Sequence, residues 1–481
     1  MSVASIPSEP EVSAGPGRGP TVRPERRSAP LAHARDRLRA VPASPTAYPS
    51  IPAVLSAGLA CPTSDGRVVD YANFDHGAST PALVSVKQAV DTALRTYSSV
   101  HRGNGYASRV TSAYYEAARE EVRAFVGARD GDEVVFTRNT TDSFNLLARS
   151  LPRHTTVFVF EAEHHATLLP WSRRRTVRLP VPASLRDAEL LLEEALAAHG
   201  GRQRLVVLSG ASNVTGELWP VQRFSAIARR HGARVALDAA QYAPHRPIDL
   251  EALDLDFVAF SGHKLYAPFG AGVLVGRSDW LDAASPYLAG GGATRAVTQR
   301  GVQWHTGAAR HEAGSPNVIG AVALAAACAS ITRHRRAIEE HEARLGARLL
   351  DGLRAIDGVE TYSIFADDHE RVAVATFTVD GLDASLVSTA LSAEHGIGVR
   401  DGKFCAHLLV DALVEDVLDP DGPTTAVRAS VGLATTDEHV ERLLAAVAEL
   451  AAQGPRGEYD YVEGRGWVAR GAVELDLDLL W

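Results

Sequence analysis

Phe257-Val-Ala-Phe-Ser-Gly-His-Lys-Leu-Tyr-Ala-Pro-Phe-Gly-Ala-Gly-Val-Leu-Val275 sets two short apolar runs on either side of a turn that carries Ser261, Gly262, His263 and Lys264. Phe257 to Phe260 reads as a buried strand because it is short, rich in β-formers and uninterrupted. A second apolar strand follows Gly270-Ala-Gly272. An ammonium held between two core strands costs roughly several kcal/mol unless it is paired or neutralised. Two outcomes relieve that cost. The long side chain reaches solvent from the strand end, or the amine gives up its charge by condensing with an aldehyde. Lysine is scarce here: Lys87, Lys264 and Lys403 are the only lysines among 49 basic residues.

Working outward, Arg234 to Asp238 is a strand that closes on a carboxylate, followed by Ala239-Ala240-Gln241. An Asp there is a helix cap or the partner of a buried cation. Leu205 to Ser209 is a strand opening on Ser212-Asn213-Val-Thr-Gly216, and Phe224 to His231 is helical. Thr156 to Phe160 is a strand running into Glu163-His164-His165-Ala166 and Pro170-Trp171. An imidazole at such a strand end stacks on a planar ring, moves protons, or simply makes ordinary hydrogen bonds. No third ligand is spaced for a metal. Glu133 to Thr137, then Arg138-Asn-Thr-Thr-Asp-Ser-Phe-Asn145, reads as strand, hydroxyl-rich turn and helix. Free N–H groups and two threonine hydroxyls at a helix start bind a dianion or serve as a plain cap. Strands alternating with helices, with polar residues at the strands' carboxyl ends, predict an α/β fold with a mostly parallel, doubly covered sheet and a ligand at that edge.

Residues 1–55, rich in Pro, Ala, Ser and Arg, are predicted to be a disordered arm. Residues 56–330 form a large domain whose N-terminal segment is 68–82, residues 331–453 a smaller C-terminal α/β domain, and 454–481 an acidic extension that docks back or meets another subunit. Val68 to Phe74 is predicted as one strand, Thr80 and Pro81 as the cap and first residue of a helix, and Ser112 to Val126 as a helix. Val318 to Leu353 is predicted as a long helix broken near Arg333. A net charge of −9 over 481 residues argues against a general nucleic-acid binder. No apolar run reaches the ~18 residues a bilayer span requires. Three scattered cysteines (Cys61, Cys328, Cys405) suggest neither disulfides nor zinc, Arg26-Arg27 has no apolar run behind it, and a cytoplasmic setting is expected.

Nine short patterns, in order, resemble those of the fold-type I pyridoxal-phosphate enzymes, class V aminotransferase group, and most closely the group II cysteine desulfurases and selenocysteine lyases. They are Asp75-His-Gly-Ala-Ser, His101-Arg-Gly, Asn139-Thr-Thr-Asp, Glu163-His-His-Ala with Pro170-Trp171, Ser212-Asn-Val-Thr-Gly, Asp238-Ala-Ala-Gln, Ser261-Gly-His-Lys-Leu-Tyr, Glu312-Ala-Gly-Ser-Pro-Asn and Val427-Arg-Ala-Ser, spread over residues 68–452. The resemblance implies the PLP-dependent transferase fold, with a seven-stranded type of sheet in the large domain, and pyridoxal 5'-phosphate as cofactor. It implies that Lys264 carries the cofactor as a Schiff base and removes the substrate's Cα proton. Asp238 would face the pyridine nitrogen, His164 stack on the ring, and Gln241 and Asn213 approach its phenolic oxygen. Thr140, Thr141, Ser261 and His263 would hold the phosphate, with Ser315 reaching one across a homodimer interface. Arg428 would clamp the substrate carboxylate, with Asn213 beside it. Cys405 follows Arg400-Asp-Gly402 as in group II desulfurases, where such a cysteine becomes a persulfide. Lys403 and His407 would then favour its thiolate. Two departures stand out: Phe404 where relatives often have histidine, and a longer stretch from Cys405 to Arg428.

The expected activity is conversion of L-cysteine to L-alanine, the sulfur passing from Cys405 to an acceptor protein. The alternatives are an aminotransferase, epimerase or lyase of the same group acting on another amino acid with Cys405 a bystander, or a cofactor-binding regulator.

Overall fold

The structure is a computed structural model, and it describes residues 50–171, 174–415 and 422–470. Most of the predicted arm, the 416–421 part of the long Cys405–Arg428 connection, and residues 471–481 lie outside the described residues.

A seven-stranded sheet organises the large hydrophobic cluster. From one edge its strands run Asp132–Thr137, Gly272–Arg277, Phe257–Ser261, Arg234–Asp238, Gln203–Ser209, Thr155–Phe160 and Arg175–Leu179. Four neighbouring pairs are parallel, and Gly272–Arg277 runs antiparallel to both of its partners. Phe257, Val258, Ala259 and Phe260 are all buried, as expected of a strand covered on both faces. Helices such as Thr140–Ser150, Leu185–Ala198 and Val221–Arg230 supply that cover. Close packing sets one glycine: a Cβ on Gly272 would come within 2.6 Å of the Asn139 backbone, where the Asn139 side chain caps the Thr140–Ser150 helix.

A second sheet, Val359–Thr361, Val374–Val379, Ala426–Ser430 and Arg400–Gly402 in that order, is antiparallel throughout. Its register sets Arg400 directly opposite Arg428, so both arginines leave the same face. The Val318–Arg354 helix runs unbroken through both hydrophobic clusters, with Leu324, Cys328 and Ile331 in the first and Leu345, Leu349 and Leu353 in the second. The break expected near Arg333 is absent. The segment has no proline, and Arg335 is held by the Ala243 and Pro244 carbonyls.

Other local expectations give way to tertiary contacts. Val68 to Phe74 is two short strands, Val68–Asp70 paired with Ala60–Pro62, and Ala72–Asn73 paired with Ile397–Gly398. Ala72 and Phe74 lie in the second cluster, whereas Val54 and Leu83 lie in the first. The Tyr106–Phe125 helix starts a turn and a half before Ser112, because the Ser108 and Thr111 hydroxyls donate to the Ser99 and Thr96 carbonyls. After Gly454 the chain docks back: Gly457 N–H and the Tyr459 hydroxyl donate to the buried Glu394, and a hairpin (Tyr459–Val462, Gly466–Ala469) lies against the Ala384–His395 helix.

Candidate active site

Three adjacent parallel strands end in Ser209, Asp238 and Ser261, and the chain beyond Ser261 makes a single 3-10 turn, Gly262–Lys264. Thr80 pins that turn. Its N–H (2.8 Å) and hydroxyl (3.0 Å) donate to the His263 carbonyl, and its oxygen accepts the Tyr266 N–H at 2.7 Å. Thr80 is therefore no helix cap; the helix begins at Val84, after Leu83. Lys264 is thus fixed beside Asp238. Burial pushes its ammonium down to about 8, Asp238 opposing and Arg428 adding to the effect. Asp238 is buried, which pushes its carboxyl up. The Thr167 hydroxyl (2.5 Å), the Ala240 N–H (2.8 Å) and the charge of Lys264 hold it down.

His164 caps the one-turn helix His165–Leu168, its Nδ1 accepting the Ala166 N–H at 3.0 Å. The imidazole proton therefore sits on Nε2. Burial, then the positive charge of Lys264, push this ring down to about 3, so it is neutral. Glu163 is buried, accepts from the Ser209 N–H (2.9 Å) and hydroxyl, and burial pushes it up to about 8.

At the start of the Thr140–Ser150 helix, the Thr140 N–H donates to Ser261 Oγ (2.8 Å) and the two hydroxyls lie 2.7 Å apart. His263 Nδ1 lies 3.4 Å from Ser79 Oγ, and burial pushes that ring below the usual histidine range. Thr141 is exposed on the first turn, and Ser315 is exposed in the loop before the long helix. Among the described residues neither has a side-chain hydrogen bond to the Thr140–Ser261 pair. Gln241 Nε2 donates to the Gly77 carbonyl at 2.6 Å.

Arg428, 3% exposed, faces this group from the second sheet. Its NH1 donates to the Asn213 carbonyl (2.9 Å), its NH2 lies 3.3 Å from Asp75 Oδ1, and its Nε has no acceptor. Arg400 approaches the other Asp75 oxygen at 3.8 Å. The Phe404 ring lies under the Arg428 guanidinium, 5.1 Å from carbon to centroid.

Phe404 and the exposed Cys405 are both left-handed, φ 50° and 55°. Such backbone in non-glycine residues costs about 1–3 kcal/mol each and persists where surroundings enforce it. Here they do: Asn213 Nδ2 donates to the Phe404 carbonyl (2.9 Å), and the His165 N–H donates to the Cys405 carbonyl (2.8 Å). Lys403 is not aimed at the thiol; Asp411 and Glu415 hold its ammonium. The His407 ring packs edge-on against His165 at 4.6 Å.

Lys264, His164, Asp238, Asn213, Gln241, Ser261, Thr140, His263, Arg428 and Cys405 thus lie around one cleft edge. Thr167 and Asp75 join them, although neither was assigned a role from the sequence. Thr167 stands three residues after His164, a spacing that one helical turn makes adjacent. The set fits pyridoxal 5'-phosphate by its chemistry: a nucleophilic amine for an aldehyde, a buried carboxylate for a ring nitrogen, a flat neutral imidazole, and a helix start with hydroxyls for a phosphate. Among the described residues, no three or more His, Cys, Asp or Glu side chains converge as a metal site, and no helix is long and apolar enough to cross a membrane.

The sequence profile described as Aminotransferase class-V matches residues 72–443. A probable cysteine desulfurase of Vibrio cholerae is 34% identical over 360 residues, 72% of this chain and 85% of that protein. A cysteine desulfurase of Klebsiella pneumoniae is 35% identical over 397 residues, 80% of this chain and 94% of its own length. Among solved structures, the apo cysteine desulfurase of Thermococcus onnurineus superposes with a TM-score of 0.71 at 32% identity, covering 79% of this chain and 95% of the other. The Escherichia coli cysteine desulfurase CsdA, in an S-sulfonic acid form, gives 0.67 at 33% identity, covering 78% and 94%.

Proposed function

Because the chain belongs to the class V aminotransferase family, we propose that it is a pyridoxal-phosphate-dependent cysteine desulfurase that releases L-alanine from L-cysteine and retains the sulfur on Cys405. The observation that carries this reading is the placement of Cys405. It is exposed, on a strained turn stitched to Asn213 and His165, in a cleft shared with Lys264 and Arg428. The bound cofactor supplies an electron sink next to the substrate's Cα. The chain's own residues do the remainder. Lys264 provides the amine that anchors the cofactor and, once released, takes the Cα proton at Nζ. Asp238 pairs with the ring nitrogen, and Nε2–H of His164 donates into the site. Gln241 and Asn213 orient the ring oxygen, while Thr140, Thr141, Ser261 and His263 hold the phosphate. Arg428 binds the substrate carboxylate through the side of its guanidinium that carries the unpartnered Nε, with Asp75 as its resting counter-ion.

The Cys405 thiolate then attacks the substrate sulfur. The S–S bond forms as the C–S bond breaks, the electron pair stays with the carbon skeleton, protonation there yields alanine, and an acceptor thiol later takes the outer sulfur. We place the active unit as a cytoplasmic homodimer with Ser315 at its interface; analytical ultracentrifugation reads the dimer. The activity test is Cys405→Ala: sulfide release falls to background while the borohydride-fixed adduct at Lys264 persists. Full sulfide release from the variant overturns the desulfurase reading in favour of a lyase of the same family. An adduct without turnover on any amino acid favours a binding protein.

A further inference from the structure

We infer that Thr167 is a positioning residue, and that its hydroxyl keeps the Asp238 carboxylate the weaker base of the pair it forms with the cofactor's ring nitrogen. The inference rests on the reading of Asp238 given above and adds a residue to it.

The geometry is local and complete. Thr167 is fully buried, and its Oγ1 donates to Asp238 Oδ2 at 2.5 Å while the Ala240 N–H takes Oδ1 at 2.8 Å. One oxygen of the carboxylate is therefore claimed by backbone and the other by a hydroxyl. The backbone that carries the hydroxyl is held on both sides. The Thr167 carbonyl accepts the indole N–H of the buried Trp171 at 2.6 Å, and its N–H donates to the His164 carbonyl at 2.8 Å. The same one-turn helix thus presents its cap, His164, and the Thr167 hydroxyl three residues later. A single rigid segment carries both the imidazole and the donor to the acid.

The need for such a donor follows from the surroundings. Burial drives a carboxyl toward its neutral form, and burial is what pushes Asp238 up, against the Thr167 hydroxyl, the Ala240 N–H and the charge of Lys264. A carboxyl of raised basicity would draw the proton off a pyridinium and leave a neutral acid facing a neutral ring, and the ring would then be a poor electron acceptor. Donors to the charged form oppose this. Ala240 supplies one through backbone, which no side-chain change removes. Thr167 supplies the other, and a different side chain at 167 would alter where the proton rests.

The test uses full-length apo protein reconstituted with pyridoxal phosphate labelled with 15N in the ring. Wild type, Thr167→Val, Thr167→Ser, Asp238→Asn and the Asp238→Asn/Thr167→Val double variant are compared by cofactor dissociation constant and ring 15N shift. Thr167→Val keeps the shape of the side chain and removes the donor. It is expected to weaken cofactor binding about tenfold, in keeping with one hydrogen bond to a charged group, and to move the 15N signal toward neutral pyridine. Thr167→Ser is expected to restore both. In the Asp238→Asn background the valine change is expected to shift affinity less than about twofold, because its route through the acid is gone. A wild-type pyridinium signal that Thr167→Val leaves unmoved overturns the inference, as does an equal loss in both backgrounds. A wild type that forms no lysine adduct at all instead overturns the cofactor reading on which it stands.

Discussion

The amine of Lys264 is the group whose behaviour can be worked out most directly. Burial, opposed by Asp238 and assisted by Arg428, brings its pKa from 10.5 to about 8. Capture of an aldehyde requires the neutral amine. At pH 7.5 roughly a quarter of such amines are neutral, against about one in a thousand for an ordinary lysine, so capture should run on the order of two hundredfold faster. Apo protein mixed with pyridoxal phosphate across pH 6 to 10, with the adduct fixed by borohydride and mapped by peptide mass, should show a rate rising through pH about 8 and flat above it. Asp238→Asn removes the negative charge that holds the proton on, so the rise moves to lower pH even if the plateau falls. A profile still climbing near pH 10, a rise shifted upward by Asp238→Asn, or an adduct on Lys87 or Lys403 would refute the electrostatic account.

Other outcomes test the cleft's second wall and its buried ionisable groups. Phe404→Leu keeps the apolar volume but removes the π face under Arg428. With ~1 kcal/mol lost from a buried cation–π contact, KM for the amino acid should rise about fivefold with kcat nearly unchanged, as read in steady-state sulfide assays. His76 is 5% exposed, neither ring nitrogen has a well-formed hydrogen bond, and burial followed by the charge of His245 pushes it from 6.5 down to about 4. Its folded pKa is below its unfolded one, so its contribution of about 3 kcal/mol is complete above pH 6.5 and is lost as pH falls toward 4. Urea unfolding at pH 7.5 and 4.5 should show this loss in wild type and a smaller one in His76→Leu.

Lys264 and Asp238 were legible in the chain alone because each ends a short apolar run, and a charged residue there has to be accounted for chemically. The alternation of strands and helices and the polar residues at strand ends were equally local signals, and the mostly parallel seven-stranded sheet follows from them, whereas the antiparallel pairing of the second sheet is set by tertiary packing. The roles that local patterning misassigned all hinge on distant partners. Thr80 resembles a helix cap over a few residues, yet its hydrogen bonds go to His263 and Tyr266. Lys403 precedes the thiol in sequence, yet its charge is spent on Asp411 in the following His407–Val414 helix and on Glu415 just past its end. Thr167 donating to Asp238 and Phe404 lying beneath Arg428 join segments that only the sheet order brings together. Hydrophobic period and turn chemistry report each residue's own face and bend. Which hydroxyl meets which carboxylate is decided by the packing of one element on another, and that packing is a property of the folded chain.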